Sequence, residues 1–513
     1  MQIKHETSPE DTHVTFKDEP ARTRTWTWVP LLVAVLLLPF ANGTNTVALA
    51  AWLAPLFLLR FSRCQRIIVG LPVILAVQCV ALAIQYRGMV PFPMPVYIAV
   101  IVGYALAFTL PYVVDRLLAR RLSRFPGSLV FPATWTSIEY LLFLGPFGTW
   151  FATAYSQSDL ALLQLLSVTG LWGITFLIGW TASAGNALWE EWTITRRVPR
   201  VTAICALLTI VAIMAGGLRL ALFPPTGATV RVASLSAMES ELHPDSKVMG
   251  RFFRHESLTP EEIVTIRERA AAADNDLLNR SEREAKAGAR IIFWGESNAP
   301  VLKQDENDLI QHGAILAKTN GIYLGMALAS WHLESTPPLE NKIVLMQPDG
   351  TSAWEFFKAH PVPGGEAAIS IRGDGKVRVL DTPYGRLSSV ICFDADFPSL
   401  LAQAGRLRTD ILLDPSNDWK AIDPWHTKMA SFRAIEQGIN LVRHTSQGLS
   451  AAFDYQGRQL AAMDHYVARD RVLVAQVPTR GTRTLYALLG DWLAWVCLLG
   501  LAALVLLRAR LAR

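Results

Sequence analysis

Val390-Ile391-Cys392-Phe393-Asp394 ends an apolar, strand-like run on a thiol, and of the chain's five cysteines only this one stands outside a hydrophobic segment. An apolar strand that stops at a reactive atom presents it at the edge of a sheet, so the position suits a nucleophile. Two runs upstream end the same way, Ile291-Ile292-Phe293-Trp294-Gly295-Glu296 on a carboxylate and Phe356-Phe357-Lys358 on an amine. A neutral thiol attacks an ester or amide poorly and needs a base. A carboxylate in a partly dry pocket has its pKa raised and can exchange that proton. An ammonium can hold the oxyanion of the tetrahedral intermediate, where loss of one donor typically costs about 2.7–4 kcal/mol. Glu296, Lys358 and Cys392 therefore read as base, oxyanion cation and nucleophile of an acyl-transfer site. Taken singly, each also suits a solvated strand edge or a small core hydrophobe; the set of three points to catalysis. Phe397-Pro398-Ser399-Leu400 reads as a helix start whose N-terminus would favour thiolate or oxyanion.

Around these residues, the block from about 224 to 480 alternates short apolar strands with amphipathic helices. Thr229 to Leu235, Arg290 to Trp294, Gly321 to Ala329, Lys342 to Gln347, Leu387 to Phe393, Asp410 to Leu413, Leu441 to His444 and Val472 to Val477 are strand candidates. Thr259-Pro260-Glu261-Glu262 opens a helix with an N-cap, a first-turn proline and a capping-box glutamate. Asp349-Gly350 and Gln456-Gly457 supply turns. The class is α/β, and a block of this size buries one substantial core.

Outside the block the chain changes character. Over 513 residues, 51% are hydrophobic and 18% charged, which indicates a polytopic membrane protein. Apolar runs near 26–41, 47–60, 67–86, 96–114, 129–145, 162–188, 201–218 and 486–507 predict eight spans. Residues 1–25 read as a disordered cytoplasmic tail. Lys and Arg cluster before the first run and after the second, fourth, sixth and last, with Arg87 the main cation in the intervening gaps. These clusters read as solvated juxtamembrane charge. By the positive-inside rule they place 26–223 as a seven-span domain, 224–480 outside, and 481–513 as a last span with a cytoplasmic basic end. Glu139 lies within a span and is expected to face the bundle interior or a wet cavity, as a hydrogen-bond partner or in substrate access.

The net charge of +5 is small and its basic residues flank apolar runs, so no nucleic-acid partner is expected. The ten histidines include no HExxH and no Cys/His pair at ligand spacing, and no Walker loop, dinucleotide fingerprint or GxSxG elbow occurs. No metal and no cofactor are implied.

Trp294-Gly295-Glu296, Phe357-Lys358 and Ile391-Cys392-Phe393-Asp394 resemble the nitrilase, or carbon-nitrogen hydrolase, superfamily with its Glu-Lys-Cys triad and α-β-β-α sandwich. Ser416-Asn417-Asp418-Trp419, Arg433-Ala434-Ile435-Glu436, Thr445-Ser446-Gln447-Gly448 and His360-Pro361-Val362-Pro363-Gly364-Gly365-Glu366 are similar to the apolipoprotein N-acyltransferase branch. So are Pro132-Ala133-Thr134-Trp135, Tyr155-Ser156-Gln157 and Gly490-Asp491-Trp492 in the apolar part. The chain departs from that pattern where Phe393-Asp394 replaces Tyr-Glu, Gly364 replaces Phe, and Trp419-Lys420-Ala421 replaces Trp-Phe-Gly.

The resemblance implies a membrane acyltransferase of the bacterial inner membrane with its catalytic domain on the periplasmic side. It would take an acyl chain from a phospholipid through a Cys392 thioester and place it on the N-terminal amine of a diacylated lipoprotein. Glu366 and Asp394 would position Lys358 and the nucleophile, and Phe393 and Trp419 would line the acyl pocket or pack in the core. The alternatives are a membrane-tethered amidase or nitrilase using the same triad, and a catalytically silent homologue.

Overall fold

The computed structural model describes residues 27–237, 251 and 258–511, so the tail at 1–25 lies outside the described residues. The polar block forms two sheets. Strands are β1 (Thr229–Leu235), β2 (Ile291–Trp294), β3 (Ala299–Leu302), β4 (Tyr323–Trp331), β5 (Leu339–Met346), β6 (Ser352–Phe357), β7 (Val379–Thr382), β8 (Gly385–Ser389), β9 (Ile411–Asn417), β10 (Asn440–Ser446), β11 (Leu449–Phe453), β12 (Gln459–Asp464) and β13 (Val472–Pro478). One sheet runs β13-β1-β2-β4-β5-β6 with β3 beside β4, and the other runs β12-β11-β10-β9-β8-β7. The sequence reading missed β3, β7, β11 and β12, and of β6 it caught only the end, Phe356-Phe357. These are short or sheet-edge strands with little apolar alternation to reveal them.

Period-two alternation sorts side chains between layers. On β2, Ile291 and Phe293 enter the core between the sheets, where they join Leu387, Ile411, Leu413 and Val442. Ile292 and Trp294 face the other way, onto Ala273, Leu277, Ala285, Leu309 and Ala317. Those five belong to two outer helices, Pro260–Lys286 and Glu306–Asn320. The first starts in the capping box expected at Thr259 and Glu262. On the far side, Leu412 and Leu441 pack against helices Pro398–Arg406 and Trp425–Gln437. The result is an α-β-β-α sandwich.

The apolar part folds as α1 (Trp28–Leu37), α2 (Ala48–Cys64), α3 (Ile67–Gln85), α4 (Met94–Leu118), α5 (Arg124–Phe143), α6 (Leu160–Leu163), α7 (Leu166–Thr169), α8 (Leu171–Thr195) and α9 (Arg200–Leu222). The outer sandwich helices become α10 (Pro260–Lys286), α11 (Glu306–Asn320), α12 (Gly365–Ile369), α13 (Pro398–Arg406) and α14 (Trp425–Gln437); α15 (Leu485–Leu489) and α16 (Trp492–Leu511) close the chain. Among the described residues, Ile67–Gln85, Met94–Arg121 and Arg200–Leu222 are long and apolar enough to cross a bilayer; a fourth span arises if Leu160–Thr169 and Leu171–Thr195 count as one, across a bend of 116°.

Several expected spans therefore differ from ordinary membrane helices. The run at 162–188 breaks at Gly170, whose φ of +62° suits glycine and whose added Cβ would lie 2.4 Å from the Tyr486 ring. The first run is a ten-residue helix. The fifth carries buried Thr134, Thr136, Ser137 and Glu139, which dilute its hydropathy. Glu139 is fully enclosed and accepts hydrogen bonds from Trp135 Nε1 (3.0 Å), Thr153 N (3.1 Å), the Thr153 hydroxyl and Thr175 Oγ1 (2.8 Å). It ties α5 to α8 and to the loop between them.

The basic clusters also differ from simple solvated charge. Arg63 grips the buried carboxylate of Asp115 through Nε (2.9 Å) and Nη2 (2.7 Å), joining α2 to α4. Arg60 pairs with Glu190 and Arg124 with Glu191. These pairs gather the ends of α2, α4, α5 and α8 at one end of the bundle. The sandwich meets the opposite end: Trp419 Nε1 donates to Gly88 O (2.9 Å), and Gln456 Nε2 to Phe223 O (2.7 Å). Helix α14 is wedged between the two parts. Ala430 and Ala434 face the sheet, while Trp425, Met429, Phe432 and Ile435 pack into the bundle beside Trp150, Phe151 and Tyr155.

Candidate active site

Glu296 follows β2, Lys358 follows β6, and Cys392 begins a one-turn 3-10 helix, Cys392–Asp396, after β8. All three are at most 4% exposed. Lys358 Nζ donates to Glu296 Oε1 at 2.7 Å and to Glu366 Oε2 at 2.8 Å. Asn341 on β5 links the same two carboxylates, its Nδ2 lying 2.7 Å from Glu296 Oε1 and 3.0 Å from Glu366 Oε1. Its carbonyl also accepts from Lys358 N at 2.9 Å. The amine is thus held from both sides by groups that need no rearrangement.

Cys392 adopts φ +52°, a left-handed conformation that costs a residue bearing a Cβ on the order of 1–3 kcal/mol and persists where surroundings impose it. The imposing contact is Asp414, whose Oδ1 accepts from Cys392 N at 2.9 Å. Asp414 is in turn neutralised by Arg443 Nη1 at 2.6 Å across the parallel β9–β10 register, where the two residues are directly paired. The loop is fixed from its other end by Asp394, fully buried. Its Oδ1 accepts from His360 N (2.8 Å) and His360 Nδ1 (2.9 Å), and its Oδ2 from Ile391 N (3.2 Å) and Ala359 N (3.3 Å). One carboxylate thereby joins the backbone before the cysteine to the backbone after the lysine.

Burial, reinforced by Glu296, pushes the Cys392 thiol well above its usual range, against the pull of Lys358 and Arg443. The thiol rests protonated. Burial likewise raises the Glu296 carboxyl although Lys358 opposes it. Lys358 is held protonated by Glu296 and Glu366 despite the burial that works against its charge. A protonated thiol, a basic carboxylate and a permanent cation can together run nucleophilic attack on a carbonyl. Among the charged side chains around the thiol, Lys358 and Arg443 are the ones that favour thiolate.

Cys392, Asp418 and His426 each offer a donor atom within 4.8 Å of the others, the spacing of a metal triad. A cation is already there. Arg443 Nη2 lies 3.1 Å from Asp418 Oδ1 and 2.8 Å from His426 Nδ1. His426 sits between two carboxylates, Nδ1 at 2.7 Å from Asp418 Oδ1 and Nε2 at 3.2 Å from Asp396 Oδ2. Against burial and Arg443, those carboxylates lift its pKa to about 9. Sequence reasoning singled out none of Asn341, Asp414, His426 or Arg443 for the site. The available signal was a polar side chain inside an otherwise apolar strand or helix face, which identifies no partner.

Of the other expected site residues, Phe393 is buried among Trp150 and Phe397, with ring centroids at 6.4 and 5.2 Å. Trp419 is half-buried and tethered to Gly88. Both lie where the sandwich meets the bundle. The bundle reaches the nucleophile loop directly: Thr149 N and Oγ1 each donate to Asp396 O at 2.9 Å. The space beside Gly364 is taken by Phe92 of the α3–α4 loop, 3.2 Å from where a Cβ would stand.

Two family models match the chain, one described as apolipoprotein N-acyltransferase N-terminal domain over residues 32–184 and one as carbon-nitrogen hydrolase over 269–485. The chain is 30% identical to an apolipoprotein N-acyltransferase of Bradyrhizobium diazoefficiens, over 71% of this chain and 70% of the relative. It is 25% identical to one of Geobacter metallireducens, over 84% of each. Among solved structures it is similar to an amidase from Nesterenkonia sp., with 18% identity, 50% of this chain and 92% of that chain covered, and a TM-score of 0.39.

Proposed function

Because the chain belongs to the apolipoprotein N-acyltransferase family, we propose that it moves an acyl chain from a phospholipid to the α-amine of a diacylglyceryl-cysteine at a lipoprotein N-terminus. The observation that carries the reading is the buried contact of Lys358 with Glu296, 2.7 Å, beside a cysteine held at positive φ. Glu296 accepts the Cys392 proton as sulfur attacks the donor ester carbonyl. Lys358 holds the resulting oxyanion. The C–O bond breaks, the lysophospholipid alkoxide takes the proton back from Glu296, and a thioester remains. The acceptor amine then attacks the thioester carbonyl and gives a proton to Glu296. The departing Cys392 thiolate recovers that proton as the amide forms, so the cycle is ping-pong.

Glu366, with Asn341, positions Lys358; Asp394 locks the two catalytic loops; Phe393 and Trp419 wall the acyl chain. Burial excludes water, which would hydrolyse the thioester. The bundle serves the chemistry because an acyl chain drawn into water costs about 0.8 kcal/mol per CH₂. Eight membrane crossings, a sandwich on the periplasmic side of the inner membrane and a cytoplasmic basic end complete the proposal. The gathering of arginine clusters at the bundle end remote from the sandwich supports it. The match of the helical part to the acyltransferase N-terminal domain disfavours a tethered amidase.

Mass spectrometry after incubation with phospholipid tests the reading. A fatty-acyl mass removable by hydroxylamine is expected on the Cys392 peptide and should be missing in Cys392→Ala. An adduct on Ser388, Ser389 or Ser399 in its place would refute the mechanism.

A further inference from the structure

Arg87 is the main cation at a chain position where the alternation of basic clusters calls for none, and Lys420 stands where the resembling pattern has an apolar residue. The fold brings the two backbones to one rim. Gly88, next to Arg87, accepts from Trp419 Nε1 at 2.9 Å, and Ala421 Cβ lies 3.1 Å from where a Gly88 side chain would begin. Trp419 and Ala421 flank Lys420. A few residues along the same α3–α4 loop, Phe92 packs on Gly364 in the loop that carries Lys358 and Glu366. The α3–α4 loop thus touches both chain segments that border the nucleophile: the 359–366 loop, and the stretch that continues from the end of β9, where Asn417 O lies 3.9 Å from Cys392 Sγ.

Arg87 is exposed and makes no ion pair among the described residues. Lys420 is 71% exposed; its nearest carboxylate oxygen, Asp423 Oδ2, is at 3.4 Å, and its Nζ lies 3.9 Å from the centroid of the Tyr466 ring. The ring steers the ammonium, and a single marginal contact leaves most of its donors open. Two cations with open donors, one from each half of the molecule, therefore stand where the α3–α4 loop meets the segments that border the nucleophile.

We propose that Arg87 and Lys420 form a two-sided subsite for the phosphodiester of the donor lipid. The inference rests on the phospholipid-donor reading above and deepens it. In a glycerophospholipid the scissile ester and the phosphate are borne on one glycerol. When the ester carbonyl enters toward Cys392, the anion is left at the rim, where a guanidinium and an ammonium can meet its oxygens. Trp419, next to Lys420, and Phe92, on the loop that carries Arg87, are apolar groups at the segments that border the triad, and they suit the glycerol and the start of the acyl chain.

The test measures the rate of Cys392 acylation in mixed micelles, with phosphatidylglycerol as one donor and diacylglycerol of the same chains as the other. The latter keeps the ester and lacks the phosphate. In the Arg87→Gln/Lys420→Gln double variant the phospholipid-to-diacylglycerol rate ratio should fall about tenfold, and the salt sensitivity of that ratio should flatten. Each single variant should give an intermediate ratio. A ratio equal to that of the unmodified protein would overturn the proposal, as would an equal fall with both donors, which would mean loop packing alone. Inorganic phosphate at the same concentration should leave the ratio intact; suppression of phospholipid use by free phosphate would assign the rim to a soluble anion and overturn the lipid assignment. If neither ester acylates the unmodified protein, the donor reading itself fails, and this inference with it.

Discussion

Replacing Asp394 by Asn removes one charge and almost no volume, so its consequences follow from hydrogen bonding alone. The carboxylate is fully buried and each oxygen accepts two N–H groups, Oδ1 from His360 N and Nδ1, Oδ2 from Ile391 N and Ala359 N. An asparagine NH₂ turned toward Ile391 N and Ala359 N faces two backbone donors, whereas one turned toward His360 faces the backbone N–H and an imidazole nitrogen that accepts in its other tautomer. The second orientation is the less costly one: it strands His360 N and leaves the other three hydrogen bonds without the charge. With about 1.5–3 kcal/mol for the lost hydrogen bond to a charged group and a smaller loss at each of the others, a destabilisation of roughly 2–4 kcal/mol is expected. Because the stranded group lies in the loop after Lys358, the loss falls on active-site geometry. Acylation should fall by at least about a hundredfold, given the sensitivity of positioned reactions to displacements of an ångström. Asp394→Glu keeps all four acceptors and adds one methylene to a filled space, for about 1–3 kcal/mol, and should retain measurable transfer. The assay pairs thermal unfolding in detergent with the rate of thioester formation, and adds triacylated lipopeptide against free fatty acid as the product ratio. Asparagine within about twofold of the unmodified rate, at an unchanged melting temperature, would refute the view that this carboxylate holds the two loops together.

His426, lifted to about 9 from an ordinary 6.5 by Asp396 and Asp418, contributes stability that is complete below about pH 6.5 and lost as pH rises through about 9. The melting-temperature gap between the unmodified protein and His426→Gln should therefore shrink over that window, by the equivalent of about 3 kcal/mol; a gap independent of pH would contradict the charged clamp. Gly148 has φ +51°, and an added Cβ would lie 2.5 Å from Asp396 O, so Gly148→Ala should displace the nucleophile loop and lower acylation at least tenfold, while Gly103→Ala, where a Cβ would meet open space, serves as a helix control within twofold. In an otherwise cysteine-free variant, a cysteine at exposed Asp308 should react with an impermeant maleimide added outside the cell and one at exposed Ser123 should not; the reverse would invert the proposed orientation.

The sequence by itself determined those features whose physics is local. Short apolar runs announced β1, β2, β4, β5, β8, β9, β10 and β13, because a strand held between two layers is buried on both faces whatever its partner. The start of α10 was legible for the same kind of reason, since Thr259 and Glu262 cap each other within one turn. Glu296, Lys358 and Cys392 were visible as polar atoms closing apolar runs. What the sequence left open is whatever depends on register and on contact between distant segments. Arg443 neutralises Asp414 across 29 residues because β9 and β10 pair in one particular parallel register. Thr149 holds Asp396 across 247 residues, and nothing in either neighbourhood anticipates it. The membrane runs show the same limit from the other side. Hydropathy counts apolar residues along the chain, whereas Gly170 breaks a run by a backbone turn, Glu139 is accommodated by donors from other segments, and Arg63 is paired with a carboxylate 52 residues away. Local composition sets which elements can form; only packing decides which polar groups meet, since a buried charge is tolerated only where the tertiary fold delivers its partner.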